Sequence, residues 1–265
     1  MTVAYNTVAI EEADGVHSIT LKRPERRNAL NPQLIAELTH ALGEASRCPC
    51  AVVTLTGAGD AFCAGLDLEY LESTSRQRPE EQRAEAESIV WLMRPLYEMC
   101  KPTIAAVNGP AIAGGAGLAA LCDFTLAVPG ARFGFTEVRI GFIPAVVSIF
   151  LLPMLGDKQT RELLLSGRIF SASEAKALGL VTELVEPGEL AARTRALAAD
   201  LRKNSPVAMS AVKAMLSALA KDRLDADLAR AIRWSEKIRN SADFREGLRA
   251  FREKREAAWP SREKK

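Results

Sequence analysis

The chain has 265 residues, of which 48% are hydrophobic and 26% charged, and its formal net charge is +2. These values predict a globular protein with one large domain, or a core and an appendage. The small net charge gives no reason to expect binding to nucleic acid or to an anionic membrane. The longest apolar stretches are interrupted by proline and serine, so no membrane span is expected.

Cysteine usage and the first residues of the chain bear on the cellular compartment. The five cysteines form no C-x-x-C pair, and the N-terminal segment lacks the pattern of a signal peptide. We therefore expect reduced thiols and a cytoplasmic protein. The only two histidines, His17 and His40, argue against a histidine-rich metal site and against a histidine-activated nucleophile.

Strand-like apolar segments alternate with helical patterns along the chain, which predicts an α/β fold. The predicted strands are residues 16–21, 51–56, 103–107, 124–128 and 181–185. A helix is predicted from Pro32 with Asn31 as its cap, and a capping box at Ser171 and Glu174 predicts another that stops near Gly179. The polar, aperiodic residues 72–83 are interpreted as a mobile surface loop. The pattern predicts a wholly helical chain after Pro206, which divides it into a core (1–200) and a helical C-terminal region (201–265).

Two Gly-rich segments each follow a predicted strand, at residues 56–68 and 108–118. Backbone N–H groups at such turns and helix starts can hold an anion or stabilise a developing oxyanion. The second segment also contains a G-x-G-x-x-A pattern. However, Asn108 and Pro110 end the preceding strand too early for the dinucleotide-binding turn. No redox cofactor is implied.

Glu137 is a lone carboxylate among Phe133, Phe135, Ile140 and Phe142. Apolar neighbours should raise the pKa of a glutamate towards the range useful for general acid–base catalysis. The alternative is a surface glutamate on a turn between two elements.

Six ordered segments together resemble the enoyl-CoA hydratase/isomerase (crotonase) superfamily over nearly the whole chain. They are residues 19–30, 62–68, 101–123, 133–144, 171–181 and 241–255. The resemblance implies a spiral of ββα units with a helical C-terminal trimerisation region, and hence a homotrimer or a dimer of trimers. It also implies acyl-CoA thioester substrates, with coenzyme A as part of the substrate and neither a separate cofactor nor a metal.

The resemblance also assigns roles to individual residues. The backbone N–H groups of Ala64 and Gly114 would form the oxyanion hole, and Glu137 would be the general acid/base. Phe251 and Lys254 resemble positions that often reach a coenzyme A site across the trimer interface. The remaining expected contacts to coenzyme A are Gly65, Leu66, Asp67, Lys22, Arg27 and Ala29, although each cation could instead be an ordinary solvated charge.

Gly117 departs from the pattern of the family. Hydratases of this family commonly carry a first catalytic glutamate at the aligned position, and glycine supplies neither acid nor base. Because glycine weakens a helix by about 0.5–1 kcal/mol relative to alanine, we expect it to serve close packing or to leave room for a bulky substrate.

Three functions follow from these residues. The first, which we predict, is hydration of an enoyl-CoA with Glu137 as the single side-chain acid/base. The second is Δ3,Δ2-enoyl-CoA isomerisation, for which one base suffices. The third is a non-catalytic acyl-CoA-binding protein, although a pure binder gains nothing from a buried carboxylate.

Overall fold

The structure, a computed structural model, describes residues 4–74 and 77–263. It confirms the predicted α/β class, with a six-stranded and a three-stranded sheet. The strands are β1 (Val8–Ala13), β2 (Val16–Leu21), β3 (Val52–Gly57), β4 (Thr103–Val107), β5 (Ala111–Ile112), β6 (Phe124–Ala127), β7 (Arg132–Gly134), β8 (Ile169–Ser171) and β9 (Glu183–Leu184). The helices are α1 (Pro32–Arg47), α2 (Leu68–Thr74), α3 (Pro79–Tyr97), α4 (Gly114–Leu121), α5 (Ala145–Ser166), α6 (Ala172–Ala177), α7 (Leu190–Leu201), α8 (Pro206–Arg239), α9 (Ala242–Glu253) and α10 (Pro260–Glu263).

The large sheet has the strand order β1-β2-β3-β4-β6-β9. The pair β1–β2 is antiparallel, and the other four neighbouring pairs are parallel. All five residues of β4 are buried, as expected for a parallel strand that is covered on both faces. In the small sheet, β7 pairs in parallel with β5 and antiparallel with β8.

The predicted helix starts are confirmed in their main features. The Leu34 N–H donates to Asn31 Oδ1 at 2.9 Å, so Asn31 caps α1. Likewise the Glu174 N–H donates to Ser171 Oγ at 3.1 Å at the start of α6. The Glu174 carboxylate pairs with Arg168, so the reciprocal half of the capping box is replaced by an ion pair.

The prediction of a surface loop over residues 72–83 is wrong. Helix α2 extends to Thr74 and α3 begins at Pro79, while residues 75 and 76 of the predicted loop lie outside the described residues. The prediction failed because two polar side chains of α3, Gln82 and Glu85, are buried. The Gln82 amide donates to the Thr74 carbonyl across a turn, and the Glu85 carboxylate accepts from Arg239, which is distant in sequence. Because the buried side chains here are polar, the segment shows no apolar helical period.

The C-terminal region is helical, as predicted, and packs onto the core of the same chain. Helix α8 lies against α3 and α5, and α9 lies against a short 3-10 turn, Glu137–Ile140. The close approach of α9 depends on Gly247, where a Cβ would lie 2.3 Å from the Ile140 carbonyl oxygen. The role of residues 201–265 in oligomerisation stays a prediction.

The expectation of reduced thiols is wrong for one pair of cysteines. Cys48 and Cys50 form a disulfide with Cα atoms 5.4 Å apart, a normal separation for such a bond. The turn after α1 brings both sulfurs to the carbonyl of Ala45. The C-x-x-C pattern does not cover this C-x-C spacing.

A ring nitrogen of His17 lies within 4.8 Å of both sulfurs. Because the Lys101 ammonium lies 3.5 Å from Cys50 Sγ, the site is unfavourable for a metal cation.

In the part of the chain that the structure describes, every helix is too short or too polar to cross a bilayer.

Candidate active site

Three loops come together at one edge of the large sheet. The Leu30 N–H donates to the Gly65 carbonyl at 2.7 Å, and the Ile112 N–H donates to the Cys63 carbonyl at 2.9 Å. Gly65 has φ +85°, and a Cβ there would lie 2.8 Å from Ala113 Cβ. Glycine is therefore needed both for the backbone conformation and for the contact between the loops. The two Gly-rich segments are therefore neighbours, as the resemblance implied by assigning Ala64 and Gly114 to one oxyanion hole.

A cavity of about 990 Å³ opens beside these loops. Its lining includes nine of the predicted site residues, which the structure therefore brings together: Glu137, Ala64, Gly114, Leu66, Asp67, Arg27, Ala29, Phe251 and Lys254. Gly65 and Gly117 lie behind this surface, where they pack against other groups. Lys22 is exposed and is not part of the lining. Phe251 and Lys254 reach the cavity of their own chain, because α9 folds back over the 3-10 turn.

Gly114 is the first residue of α4, so its N–H has no acceptor within the helix. The preceding residue, Ala113, has φ +52° and ψ −124°, a backbone conformation that is sparsely populated by non-glycine residues and costs about 1–3 kcal/mol. The Ala113 N–H donates to the Gly134 carbonyl at 2.7 Å, which holds this conformation in place. The helix start thus presents an N–H group and the positive end of a helix dipole to the cavity.

The Ala64 N–H is already hydrogen-bonded. It donates to the Arg27 carbonyl at 3.0 Å. Arg27 and Asn28 both have positive φ, at 49° and 55°. The Asn28 amide holds this turn by donating to the carbonyls of Ala58 and Ala61. Of the two N–H groups predicted for an oxyanion hole, that of Gly114 is therefore available to a ligand. The Ala64 N–H must either share its hydrogen between the ligand and the Arg27 carbonyl or give up its bond to that carbonyl.

Glu137 begins the 3-10 turn Glu137–Ile140 and is only 9% exposed. Its Oε2 atom has no hydrogen-bond partner among the described residues. Burial raises the pKa of Glu137 to about 7, although a hydrogen bond to its own backbone N–H opposes the shift. Both protonation states are accessible near neutral pH, as general acid–base catalysis requires.

The space beside Gly117 is filled. A Cβ at this position would lie 2.7 Å from Val147 Cγ2 and 3.3 Å from Met93 Cε. The expectation of extra room for a bulky substrate is therefore wrong, and the alternative of close packing is right. Apolar side chains from α3 and α5 occupy the place in which a first glutamate would have to fit.

The interior of the cavity is mostly apolar. Helix α3 contributes Ala86, Ile89 and Met93, and α5 contributes Val146 and Val147. None of these residues is among the sequence-predicted site residues. The signal that could have identified the contribution of α3 is the spacing of Ala86, Ile89 and Met93, which places three side chains on one helix face.

The mouth of the cavity carries charged side chains, several of them paired. The Arg26 guanidinium lies 3.1 Å from the Glu69 carboxylate, and the Arg23 guanidinium lies 3.1 Å from the Asp67 carboxylate. The Asp67 carboxylate also accepts the Glu69 N–H at 3.1 Å at the start of α2. We therefore interpret Asp67 as a residue that orders the loop as well as one that lines the cavity.

The fold and the site together define the class. A helix start and a buried glutamate meet in one apolar cavity, beneath loops that leave a parallel sheet, as in crotonase-type α/β proteins. The chain belongs to the enoyl-CoA hydratase/isomerase family, whose model matches residues 11–262.

Individual relatives cover more than nine-tenths of the chain. A Thermus thermophilus protein whose name assigns it to the enoyl-CoA hydratases is 42% identical over 92% of this chain and 97% of its own. The (E)-benzylidenesuccinyl-CoA hydratase of Thauera aromatica is 33% identical over 95% of this chain and 98% of its own. The crystal structure of an enoyl-CoA hydratase/isomerase from Xanthobacter autotrophicus Py2 superimposes with a TM-score of 0.88 at 30% identity, covering 97% of this chain and 100% of the other.

Proposed function

We propose that the protein is an enoyl-CoA hydratase in which Glu137 is the single side-chain acid/base. One observation carries the proposal: a buried carboxyl with a pKa of about 7 and an unpartnered oxygen lines the same cavity as the Gly114 N–H. The named hydratases among the relatives support hydration in particular.

The substrate would enter with its coenzyme A moiety at the charged mouth. Arg27 and Lys254 are exposed cations at the cavity rim, suited to phosphate groups, and Ala29, Leu66 and Phe251 offer apolar surface. The thioester oxygen would accept the Gly114 N–H. It would also take the Ala64 N–H from the Arg27 carbonyl, since charge on the oxygen makes it the stronger acceptor. The acyl chain would then extend along Met93 and Ile89.

In the proposed reaction, the Glu137 carboxylate removes a proton from water while the water oxygen bonds to C3 of the 2-enoyl thioester. The electron pair of the C2–C3 double bond moves towards the thioester carbonyl, and its oxygen becomes an enolate. The Gly114 N–H and the α4 helix start stabilise that charge, and loss of one such donor typically costs about 100- to 1,000-fold in rate. Protonated Glu137 then returns the proton to C2, which yields the 3-hydroxyacyl-CoA.

A second candidate is Δ3,Δ2-enoyl-CoA isomerisation, which the packing around Gly117 favours. Because Val147 and Met93 fill that place, no second side-chain carboxylate helps to hold a water molecule there. An isomerase needs one base, which removes a proton from C2 of a 3-enoyl-CoA and returns it to C4. A purely binding role fits less well, because a buried carboxyl with an unpartnered oxygen reduces stability and gives a binder no advantage.

Products formed in deuterated water distinguish these functions. Wild type and Glu137→Gln are supplied separately with a 2-enoyl-CoA and a 3-enoyl-CoA, and the products are analysed by mass spectrometry. Addition of water to the 2-enoyl substrate, lost in the variant, would support the hydratase. Conversion of the 3-enoyl substrate without addition of water would replace it by the isomerase. Binding without either reaction would leave only the binding protein.

We also propose that residues 201–265 assemble the chain into a homotrimer or a dimer of trimers. The first half of α8 supports this proposal, since Val207, Met215 and Leu219 are 78%, 56% and 80% exposed and isolated chains seldom expose apolar side chains so close together. Sedimentation velocity of the full chain tests it, and a monomer at micromolar concentration would refute it.

A further inference from the structure

The hydroxyl of Thr136 is open to the cavity and unpaired. Thr136 is half-buried and lines the cavity together with Glu137. Its Oγ1 atom has no hydrogen-bond partner in the part of the chain that the structure describes. The side-chain oxygens there that are both unpartnered and fully buried belong to Glu85, Asn108 and Glu137. Because Thr136 Oγ1 is not one of them, it keeps surface that a small molecule in the cavity can reach.

The local structure makes no use of this hydroxyl. Thr136 is the N-cap of the 3-10 turn Glu137–Ile140, and its side chain makes no capping hydrogen bond. A threonine in this position usually accepts an N–H of the first turn, as Ser171 Oγ does at the start of α6. Here the Thr136 carbonyl accepts the Arg139 N–H at 3.0 Å, which leaves the hydroxyl free to bind a ligand.

Thr136 stands between the start of α4 and Glu137. Where β5 and β7 run on in parallel, the Ala113 N–H donates to the Gly134 carbonyl at 2.7 Å. Neighbouring strands are about 4.8 Å apart, so the next residues of the two segments bring Gly114 and Thr136 to the same end of the small sheet. Glu137 follows directly, with its Cα about 3.8 Å from that of Thr136. One water molecule can therefore contact both side chains.

The proposed hydration needs a second group that orients the water. The Glu137 carboxylate accepts one hydrogen of the water, and a single hydrogen bond leaves the molecule free to rotate. No carboxylate fits at Gly117, because a Cβ there already meets its neighbours. Among the described residues, the uncharged polar side chains that line the cavity are those of Thr136 and Ser235. Of these two, Thr136 adjoins Glu137 in the chain.

We propose that the Thr136 hydroxyl holds the attacking water together with Glu137. Thr136 Oγ1 accepts one hydrogen of the water, since a hydroxyl oxygen has two acceptor lone pairs. The Glu137 carboxylate accepts the other hydrogen and removes it as the water oxygen bonds to C3. Thr136 takes no proton, so it is a positioning residue and not a second acid/base. The inference rests on the proposed function and names the group that replaces a second glutamate in holding the water.

Two substitutions at position 136 test the hydroxyl itself. Thr136→Val removes it and keeps the shape of the side chain, whereas Thr136→Ser retains it. For hydration of a trans-2-enoyl-CoA, kcat/KM should fall about fivefold to tenfold in Thr136→Val, the value of one uncharged hydrogen bond, and should stay close to wild type in Thr136→Ser. The matched control is Thr39→Val, a half-buried position on α1 outside the cavity, which should hydrate like wild type. Unchanged hydration in Thr136→Val, or an equal loss in Thr136→Ser, would overturn the proposal.

Exchange of the C2 proton separates a role in holding water from a general effect on the site. In deuterated water, Glu137 removes the C2 proton of a saturated acyl-CoA, the thioester becomes an enolate, and a deuteron returns to C2. No water bonds to carbon in this reaction, so Thr136→Val should exchange at the wild-type rate, and its dissociation constant for the same acyl-CoA should be unchanged. Glu137→Gln should lose the exchange. A loss of both hydration and exchange in Thr136→Val would place the hydroxyl on the enolate or in the structure, and would overturn the proposal.

The behaviour of wild type distinguishes this inference from the proposed function. A wild-type protein that hydrates no 2-enoyl-CoA would overturn the proposed function and this inference with it. Equal hydration by wild type and by Thr136→Val would overturn this inference alone and leave the hydratase in place.

Discussion

Replacement of Glu137 by glutamine should stabilise the protein while it removes activity. Burial raises the pKa of this carboxyl from 4.5 to about 7, so the folded state binds the proton more tightly than the unfolded state does. As pH rises from 4.5 to 7, the unfolded chain releases the proton first, and the free energy of unfolding falls. At 1.36 kcal/mol for each pKa unit, the charged form costs the folded protein roughly 3 kcal/mol above pH 7.

Glu137→Gln removes this cost, so its gain in stability should be roughly 3 kcal/mol above pH 7 and should vanish towards pH 4.5. The assay is urea unfolding of both proteins over that pH range, with equal m values as the check on two-state behaviour. Glu189→Gln is the control, because Glu189 is exposed, and it should leave the curves unchanged. A Glu137→Gln variant no more stable than wild type above pH 7 would refute the argument that burial raises this pKa.

Three further predictions follow from the site. The value of kcat/KM should rise with pH through about 7, as the Glu137 carboxylate forms, and a flat profile over the same range would exclude this base. Gly117→Ala should destabilise wild type by about 1 kcal/mol or more, because its Cβ would overlap Val147, but should be neutral or stabilising in a Val147→Ala background. Urea denaturation of wild type, the two single variants and the double variant gives the coupling free energy between positions 117 and 147. Additive changes in the free energy of unfolding would contradict the packing argument. Gly65→Ala should cost about 2 kcal/mol or more, measured by thermal unfolding, because φ is +85° and Ala113 lies in contact. Gly188→Ala is its control, since nothing lies within 4 Å of the position of its Cβ.

The local pattern of apolar residues correctly predicted the strands and helices whose buried side chains recur at a regular spacing. Strands β2 and β4 have the predicted bounds, because their alternating or continuous apolar residues match the two faces of a sheet. The burial of Glu137 was also predictable, since Phe135, Ile140 and Phe142 are close to it in sequence and all are buried. Its raised pKa follows from this burial.

Features that depend on distant partners could not be predicted. Helix α3 buries Glu85 because Arg239, 154 residues away, pairs with it, and no local period reveals that. Val147 fills the space beside Gly117 only after α5 has packed against α4. The hydrogen bond from Ala64 to the Arg27 carbonyl depends on a left-handed turn, which neither residue type would suggest.

The measurement that tests the central claim most directly is kcat/KM for hydration of a trans-2-enoyl-CoA by wild type and by folded Glu137→Gln at neutral pH. If Glu137 is the single acid/base, the variant should lose about 100-fold or more while its dissociation constant for a saturated acyl-CoA stays within a few-fold of wild type. A variant that hydrates the substrate at the wild-type rate would contradict the account.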